Sequence, residues 1–98
     1  MASSKLTLTG PELQQLLQEL PEWAIESGKL VRYWNFKDFV EAMAFINRVA
    51  ALAEAEQHHP DLDIRYNRVK LALISHDAGG ITARDASMAR RISAEFAT

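Results

Sequence analysis

Two hydrophobic periods alternate along the chain and limit the folds that it can adopt. Apolar residues recur at helical spacing in three segments (9–20, 38–56 and 82–96), whereas the segments between them alternate with the period of a strand. Each of these stretches divides into two short arms around a turn, which predicts hairpins over 23–36 and 64–75. Helices interleaved with hairpins favour an antiparallel sheet covered on one face. The sequence therefore predicts an α+β fold, order α-β-β-α-β-β-α, with a four-stranded antiparallel sheet and three helices packed on one face.

Capping signals mark the start of the first and last helices. Thr9 and Glu12 have the spacing of a capping box, and so do Thr82 and Asp85. In such a box the hydroxyl and the carboxylate satisfy backbone N–H groups that the helix leaves without partners. Both helices are therefore expected to begin at these residues.

The longest helix is predicted from about Asp38 to Glu56. Pro60 prevents its continuation, since a prolyl ring clashes with the preceding turn. Its alanine-rich surface suits close packing on a sheet or against a copy of itself. In the hairpins, Gly28 and Asn67 are the residues expected to adopt positive φ.

Length and composition restrict the classes of function. Ninety-eight residues suffice for one domain, spanning 1–98. A net charge of −2 argues against direct nucleic-acid or membrane binding, which normally require a basic patch. Without cysteine the chain has no disulfide, thiol nucleophile or thiolate metal site. No long apolar run predicts a signal peptide or a membrane span, so a cytoplasmic location is expected.

All three histidines lie at the ends of predicted elements. His58 and His59 end the longest helix, and His76 follows the last strand. Imidazole, with an ordinary pKa of about 6.5, both gives and takes a proton near neutrality. Glu54 precedes His58 by four residues, so a continuing helix would let its carboxylate fix that imidazole's tautomer. Asp85 lies in the first turn of the last helix, shortly after His76.

Each of these residues also has a structural interpretation. A histidine at a helix C-terminus interacts favourably with the helix dipole whatever else it does. His76 is also compatible with an ordinary loop position, and capping alone accounts for Asp85. Arg84 fits either a solvated helix surface or a contact with an anionic or carbonyl group.

Metal binding is the competing use of these side chains. Glu54, His58 and His76 could provide three ligands. However, adjacent histidines seldom bind the same ion, and no spacing matches a standard zinc pattern. We therefore expect no metal.

Three motifs occur in order along the chain. They are Glu54-x-x-x-His58-His59-Pro60, Tyr66-Asn67-x-Val69-x-Leu71-x-Leu73-x-Ser75-His76 and Gly80-Ile81-Thr82-x-Arg84-Asp85. From about Leu6 to Phe96 the sequence resembles the pterin-4a-carbinolamine dehydratases, a family also known as dimerisation cofactors of a homeodomain transcription factor. A lone His-His-Pro would be weak evidence, whereas the ordered set is specific.

The resemblance implies a reaction and partners. Family members dehydrate 4a-hydroxytetrahydropterin to quinonoid dihydropterin and water, which recycles the pterin used by aromatic amino-acid hydroxylases. A hydroxylase of that pathway is thus a possible partner, and no metal or organic cofactor is needed. The family forms homodimers by extending the sheet, and often homotetramers through the long helices.

The resemblance also implies roles for the residues of the motifs. His59 and His76 would form the acid–base pair, in an order the sequence does not assign. His58 would hold or polarise the substrate, oriented by Glu54. Asp85 would support the site from the start of the last helix, with Arg84 as a further substrate-binding or supporting residue.

Two positions depart from the family pattern, and a second function competes. Leu62 stands where many relatives have tryptophan, which removes a flat wall near the pterin, and Ser75 replaces a common threonine. The competing function is a non-catalytic dimeric module that regulates or assembles a partner protein. The three histidines favour the enzyme, whereas the loss of tryptophan at position 62 favours divergence.

Overall fold

A computed structural model describes residues 6–96 of the chain. In chain order its elements are α1 (Gly10–Glu19), β1 (Ala24–Glu26), β2 (Lys29–Asn35), α2 (Phe39–Glu56), β3 (Asp61–Arg65), β4 (Arg68–Leu73) and α3 (Ala83–Glu95). The strands form one antiparallel sheet in the order β1-β2-β4-β3, so the two hairpins meet at its centre. The predicted α+β fold and element order are confirmed.

One face of the sheet carries the hydrophobic core. Leu30 and Trp34 of β2 and Val69, Leu71 and Leu73 of β4 alternate onto this face and are buried. They share one cluster with buried residues of all three helices: Leu16, Ala42, Phe45, Ile46, Val49, Leu52, Ala53, Ala86, Met88, Ala89 and Ile92. The helices therefore pack on a single face, as predicted.

The opposite face of the sheet is polar. Charged side chains there pair with one another, as in the 2.9 Å bond between Lys29 Nζ of β2 and Asp61 Oδ2 of β3, which reaches across β4. The Tyr33 hydroxyl donates to Glu26 Oε1 at 2.7 Å. These side chains flank the small buried apolar positions of this face.

Both predicted capping boxes are present. The Thr9 hydroxyl accepts the Glu12 N–H at 3.3 Å, and Glu12 Oε1 accepts the Thr9 N–H at 2.8 Å. In α3 the Asp85 carboxylate accepts the Thr82 N–H at 2.8 Å. The second box places Asp85 at a defined position in the first turn of α3.

Two local predictions were wrong. In the second hairpin Tyr66, not Asn67, has positive φ (56°), whereas Asn67 is held by Phe36, whose carbonyl accepts its side-chain amide at 2.9 Å. The strand β3 begins at Asp61 instead of Ile64. Its outward positions are charged and it lies at the sheet edge, so its sequence lacks the apolar signal of a buried strand.

The N-terminal region is only partly described. The sequence predicts a loose arm or short strand over residues 1–8, of which residues 1–5 lie outside the described part. Thr7 forms an isolated antiparallel bridge with Thr82, next to the start of α3. Within residues 6–96, no helix is both long and apolar enough to cross a lipid bilayer.

Candidate active site

The C-terminal end of α2 presents two histidines. Gln57 ends the helix in a left-handed conformation (φ 54°), and its N–H bonds to the carbonyls of Ala53 and Glu54. The His58 N–H also bonds to the Ala53 carbonyl, at 3.1 Å. This cap satisfies the last carbonyls of the helix and turns the chain away from the helical path before His59.

His58 pairs with a buried carboxylate. Its Nε2 lies 2.6 Å from Asp85 Oδ1, and only 13% of the His58 side chain and none of the Asp85 side chain are exposed. Asp85 Oδ2 accepts the Ser75 hydroxyl at 2.9 Å as well as the Thr82 N–H. Because a carboxylate only accepts hydrogen bonds, the contact places a proton on His58 Nε2. Nδ1 is then the ring nitrogen left for another partner.

His59 pairs with an exposed carboxylate. Its Nε2 lies 2.5 Å from Glu54 Oε2, and the exposed fraction of the His59 side chain is 59%. The sequence had assigned Glu54 to His58 at helical i, i+4 spacing, and that pairing is wrong. The left-handed Gln57 ends the helical period before either histidine, so the i, i+4 relation does not extend to His58.

His76 begins a tight loop after β4. The loop closes through a bridge between Ser75 and Gly80, with the Ser75 N–H bonded to the Gly80 carbonyl at 2.9 Å. His76 itself is exposed, and within residues 6–96 its imidazole has no hydrogen-bond partner. An unpartnered exposed imidazole is available to a ligand.

Arg84 is tied to this loop. Its Nη2 lies 2.6 Å from Asp77 Oδ1, so a charge-assisted bond joins the first turn of α3 to the residue after His76. The Arg84 Nε is buried and has no hydrogen-bond partner within the described residues. Arg84 thus contacts the loop that carries His76.

The strand register brings the three histidines to one end of the sheet. Asp61, which opens β3, pairs with Ala72 near the end of β4. His59 lies two residues before Asp61, and His76 lies four residues after Ala72, so both lie at the same end of this hairpin. His58 is also connected to this end by hydrogen bonds, because it bonds to Asp85, which in turn accepts the hydroxyl of Ser75.

Cavities occur at this end and on the outer face of the sheet. Beside His58 a cavity of about 230 Å³ is also lined by Glu56, Ala83, Arg84, Ser87 and Met88. Larger cavities of about 370 and 360 Å³ lie over the outer face, and no histidine lines them. Of these three cavities the smaller one is lined by a histidine, and binding needs a site's chemistry as well as its volume.

Two residues that hold Asp85 in place were not among the candidates predicted from the sequence. Ser75 and Thr82 are buried and hydrogen-bonded around Asp85. Ser75 was noted only as a replacement, and Thr82 only as a helix cap. A hydroxyl directly before His76 and another three residues before Asp85 were the available signals. Within residues 6–96, no three His, Asp or Glu side chains are grouped to hold a metal ion.

The chain is similar to proteins of one family. The family model described as pterin 4 alpha carbinolamine dehydratase matches residues 6–95. A protein of Thermomicrobium roseum named as a pterin-4-alpha-carbinolamine dehydratase is 57% identical over 81 residues, covering 83% of this chain and 87% of the relative. A relative with the same name in Acidobacterium capsulatum is 52% identical over 87 residues, covering 89% and 95%.

Two solved structures share the fold. The crystal structure of a transcriptional coactivator/pterin dehydratase from Brucella melitensis has a TM-score of 0.83 and 37% identity, covering 90% of this chain and 96% of that one. A pterin dehydratase-like protein described as a RuBisCO assembly factor in the alpha-carboxysome is 22% identical with a TM-score of 0.58, covering 74% and 83%, and shows the fold alone. Because the family model matches almost the whole length of this chain, the chain belongs to the pterin 4 alpha carbinolamine dehydratase family.

Proposed function

We propose that this protein dehydrates 4a-hydroxytetrahydropterin to quinonoid dihydropterin and water by histidine acid–base catalysis. One observation carries the proposal. In a chain of this family, one histidine is mostly buried and held by a carboxylate, while two exposed histidines lie at the same end of the sheet. A fixed imidazole beside two accessible ones suits a reaction that moves two protons.

The reaction needs one acid and one base. The bond between C4a and its hydroxyl oxygen breaks, and the departing oxygen must gain a proton because hydroxide is a poor leaving group. The N5–H proton is removed as the N5–C4a double bond forms. The two proton transfers balance, and no electron leaves the substrate. Positioned acids and bases each contribute roughly 10²–10⁴-fold to such steps.

The solvent exposure of the three histidine side chains supports different roles for them. His59 and His76 are exposed and are proposed as the acid–base pair. His58 is mostly buried and held by Asp85, which suits holding or polarising the substrate through Nδ1. Glu54 then orients His59 rather than His58. Arg84 supports the loop of His76 through Asp77.

Removal of the exposed imidazoles tests these roles. We expect His59→Ala and His76→Ala each to lower kcat at least tenfold, since each loses a proton-transfer group. Both side chains are exposed, so circular dichroism and the thermal midpoint should stay close to those of the wild type. Dehydration of 4a-hydroxytetrahydropterin is followed by stopped-flow absorbance against the rate in buffer.

Arg65→Ala is the matched control. Arg65 is an exposed residue of β3, bonded to Asp63 at the far end of the strand from His59, and its loss should leave the rate unchanged. Wild-type rates no higher than the buffer rate would refute the enzyme proposal. They would favour the non-catalytic regulatory or assembly module, the role suggested by the coactivator name of the Brucella melitensis neighbour.

A further inference from the structure

Ser75 is connected to two histidines of the proposed site, His58 and His76. It is 1% exposed and directly precedes His76. Its hydroxyl donates to Asp85 Oδ2 at 2.9 Å, and the other oxygen of that carboxylate bonds to His58. Its backbone closes the loop of His76, because the Ser75 carbonyl accepts the N–H groups of residues 78 and 79, each at 3.0 Å.

The hydroxyl hydrogen bonds around Ser75 all donate in the same direction, towards the carboxylate of Asp85. A serine hydroxyl has a single proton, and here it points to the carboxylate of Asp85. The Thr82 hydroxyl, 2.8 Å from Ser75 Oγ, must therefore donate to Ser75. Ser75 and the Thr82 N–H together occupy Oδ2 of Asp85, which leaves Oδ1 for His58. Bonds aligned in this way in a buried site strengthen one another.

We propose that Ser75 is a positioning residue of this site. Its hydroxyl holds the Asp85 carboxylate in the orientation that keeps a proton on His58 Nε2, and its backbone fixes the loop of His76. The link to catalysis rests on the proposed function, whereas the state of the His58 ring is a property of the free protein. The two can therefore be tested separately.

Loss of the hydroxyl has a specific consequence. Without it, Oδ2 of Asp85 keeps only the Thr82 N–H, so the carboxylate loses one of its three hydrogen bonds and we expect its orientation to be less fixed. A neutral His58 then loses the fixed acceptor that selects its Nε2–H tautomer. His59 is unaffected, since it pairs with Glu54.

The test combines histidine NMR with kinetics on the full chain. Two-dimensional ¹H–¹⁵N spectra of the imidazoles report the tautomer of each ring without substrate. The variants are Ser75→Ala and Ser75→Thr, in which the second keeps the hydroxyl. Ser93→Ala is the control, because the Ser93 hydroxyl also holds buried side chains, accepting Trp23 Nε1–H at 2.8 Å. It lies eight residues further along α3 than Asp85, about 12 Å away.

We expect the wild type to show the Nε2–H tautomer of His58. Ser75→Thr and Ser93→Ala should retain it, with kcat within about threefold of the wild type. Ser75→Ala should show mixed tautomers at His58 alone and a kcat about tenfold lower, with KM changed much less. If Ser75→Ala does not fold, Ser75→Cys replaces it, as its thiol is a weak donor of similar size, and mixed tautomers are again expected.

Three results would overturn the proposal. They are an Nδ1–H tautomer of His58 in the wild type, an unchanged tautomer in Ser75→Ala or Ser75→Cys, and a Ser75→Thr protein that behaves like Ser75→Ala. A wild type that fails to dehydrate the pterin but shows the expected tautomers would refute the proposed function alone. Ser75 would then still be the residue that positions His58.

Discussion

Neighbouring histidines are divided between two carboxylates of different environment. His58 faces the fully buried Asp85, whereas His59 faces the exposed Glu54. The exposed pair contributes little to stability, because water screens it. The buried pair is different. Removing one partner leaves a buried carboxylate without a hydrogen bond, and this costs more free energy of folding than the intact pair contributes. Asp85 is therefore expected to matter for folding as well as for the site.

We predict that Asp85→Asn destabilises the protein by roughly 1–3 kcal/mol. The amide group cannot accept all three of the hydrogen bonds that now reach the carboxylate, from Ser75, Thr82 and His58. Urea unfolding followed by circular dichroism measures the change. As a control, Asp61→Asn removes an exposed carboxylate bonded to Lys29 and should cost less than about 1 kcal/mol. Equal destabilisation by the two variants would contradict this interpretation of Asp85.

Residue types and spacing were enough to select candidate residues that lie near one another, but not their pairings. All six candidate residues lie at or next to one end of the sheet: the three histidines, Glu54, Arg84 and Asp85. The sequence had placed the histidines at the ends of predicted elements. The partner of Glu54 depended on a single φ angle, that of Gln57, and glutamine carries no signal for a left-handed conformation. The role of Ser75 depended on a contact ten residues away in sequence, which spacing alone does not determine.

Among the helices, α3 contacts both the proposed site and helix α1. Its first turn holds Asp85 and Arg84, and its later turns contact α1 through Arg90 and Glu19. The guanidinium Nε and Nη2 of Arg90 lie 2.6 and 3.0 Å from the two oxygens of Glu19, a bidentate pair. This pair connects the first and last helices, which are far apart in sequence.

The Glu19–Arg90 pair predicts an acid-dependent stability. The hydrogen bond from Arg90 lowers the pKa of Glu19 below its ordinary value of 4.5. A carboxylate whose pKa is lower in the folded state stabilises above its unfolded pKa, and that contribution is lost as pH falls through the folded pKa. The thermal midpoint of Glu19→Gln should therefore lie slightly below that of the wild type at pH 7, and the difference should shrink as pH falls below 4.5.

Arg90→Gln provides the matched variant, since it removes the same pair from the other side. It should reproduce the pH dependence of Glu19→Gln in scanning calorimetry. A difference between the wild type and Glu19→Gln that is as large at pH 3 as at pH 7 would show that the pair is not its source.

Element order followed from periodicity, whereas two details of the second hairpin did not. The capping boxes of α1 and α3 and the end of α2 before Pro60 were correct, because each depends on local chemistry. The start of β3 was missed, since an edge strand with charged outward positions has no continuous apolar pattern. The turn residue was missed because Asn67 is fixed by Phe36, a contact between hairpins.

At the scale of the whole molecule, the described chain leaves surfaces that fit the expected self-association. The sheet ends in two edge strands, β1 and β3. At the start of α2, Val40 is 74% exposed and Phe39 is about half exposed. Dimers by sheet extension and tetramers through the long helices stay predictions of the family resemblance. The active site proposed above uses residues of one chain only.

In the proposed site, three imidazoles act around one pterin. The chain has three histidines, so each imidazole signal in a ¹H–¹⁵N spectrum belongs to His58, His59 or His76. The most direct measurement is a titration of the protein with a tetrahydropterin that lacks the 4a-hydroxyl group and does not react. We predict that the signals of all three rings shift together and saturate with one Kd. Shifts confined to one ring, or none at saturating pterin, would contradict a shared site.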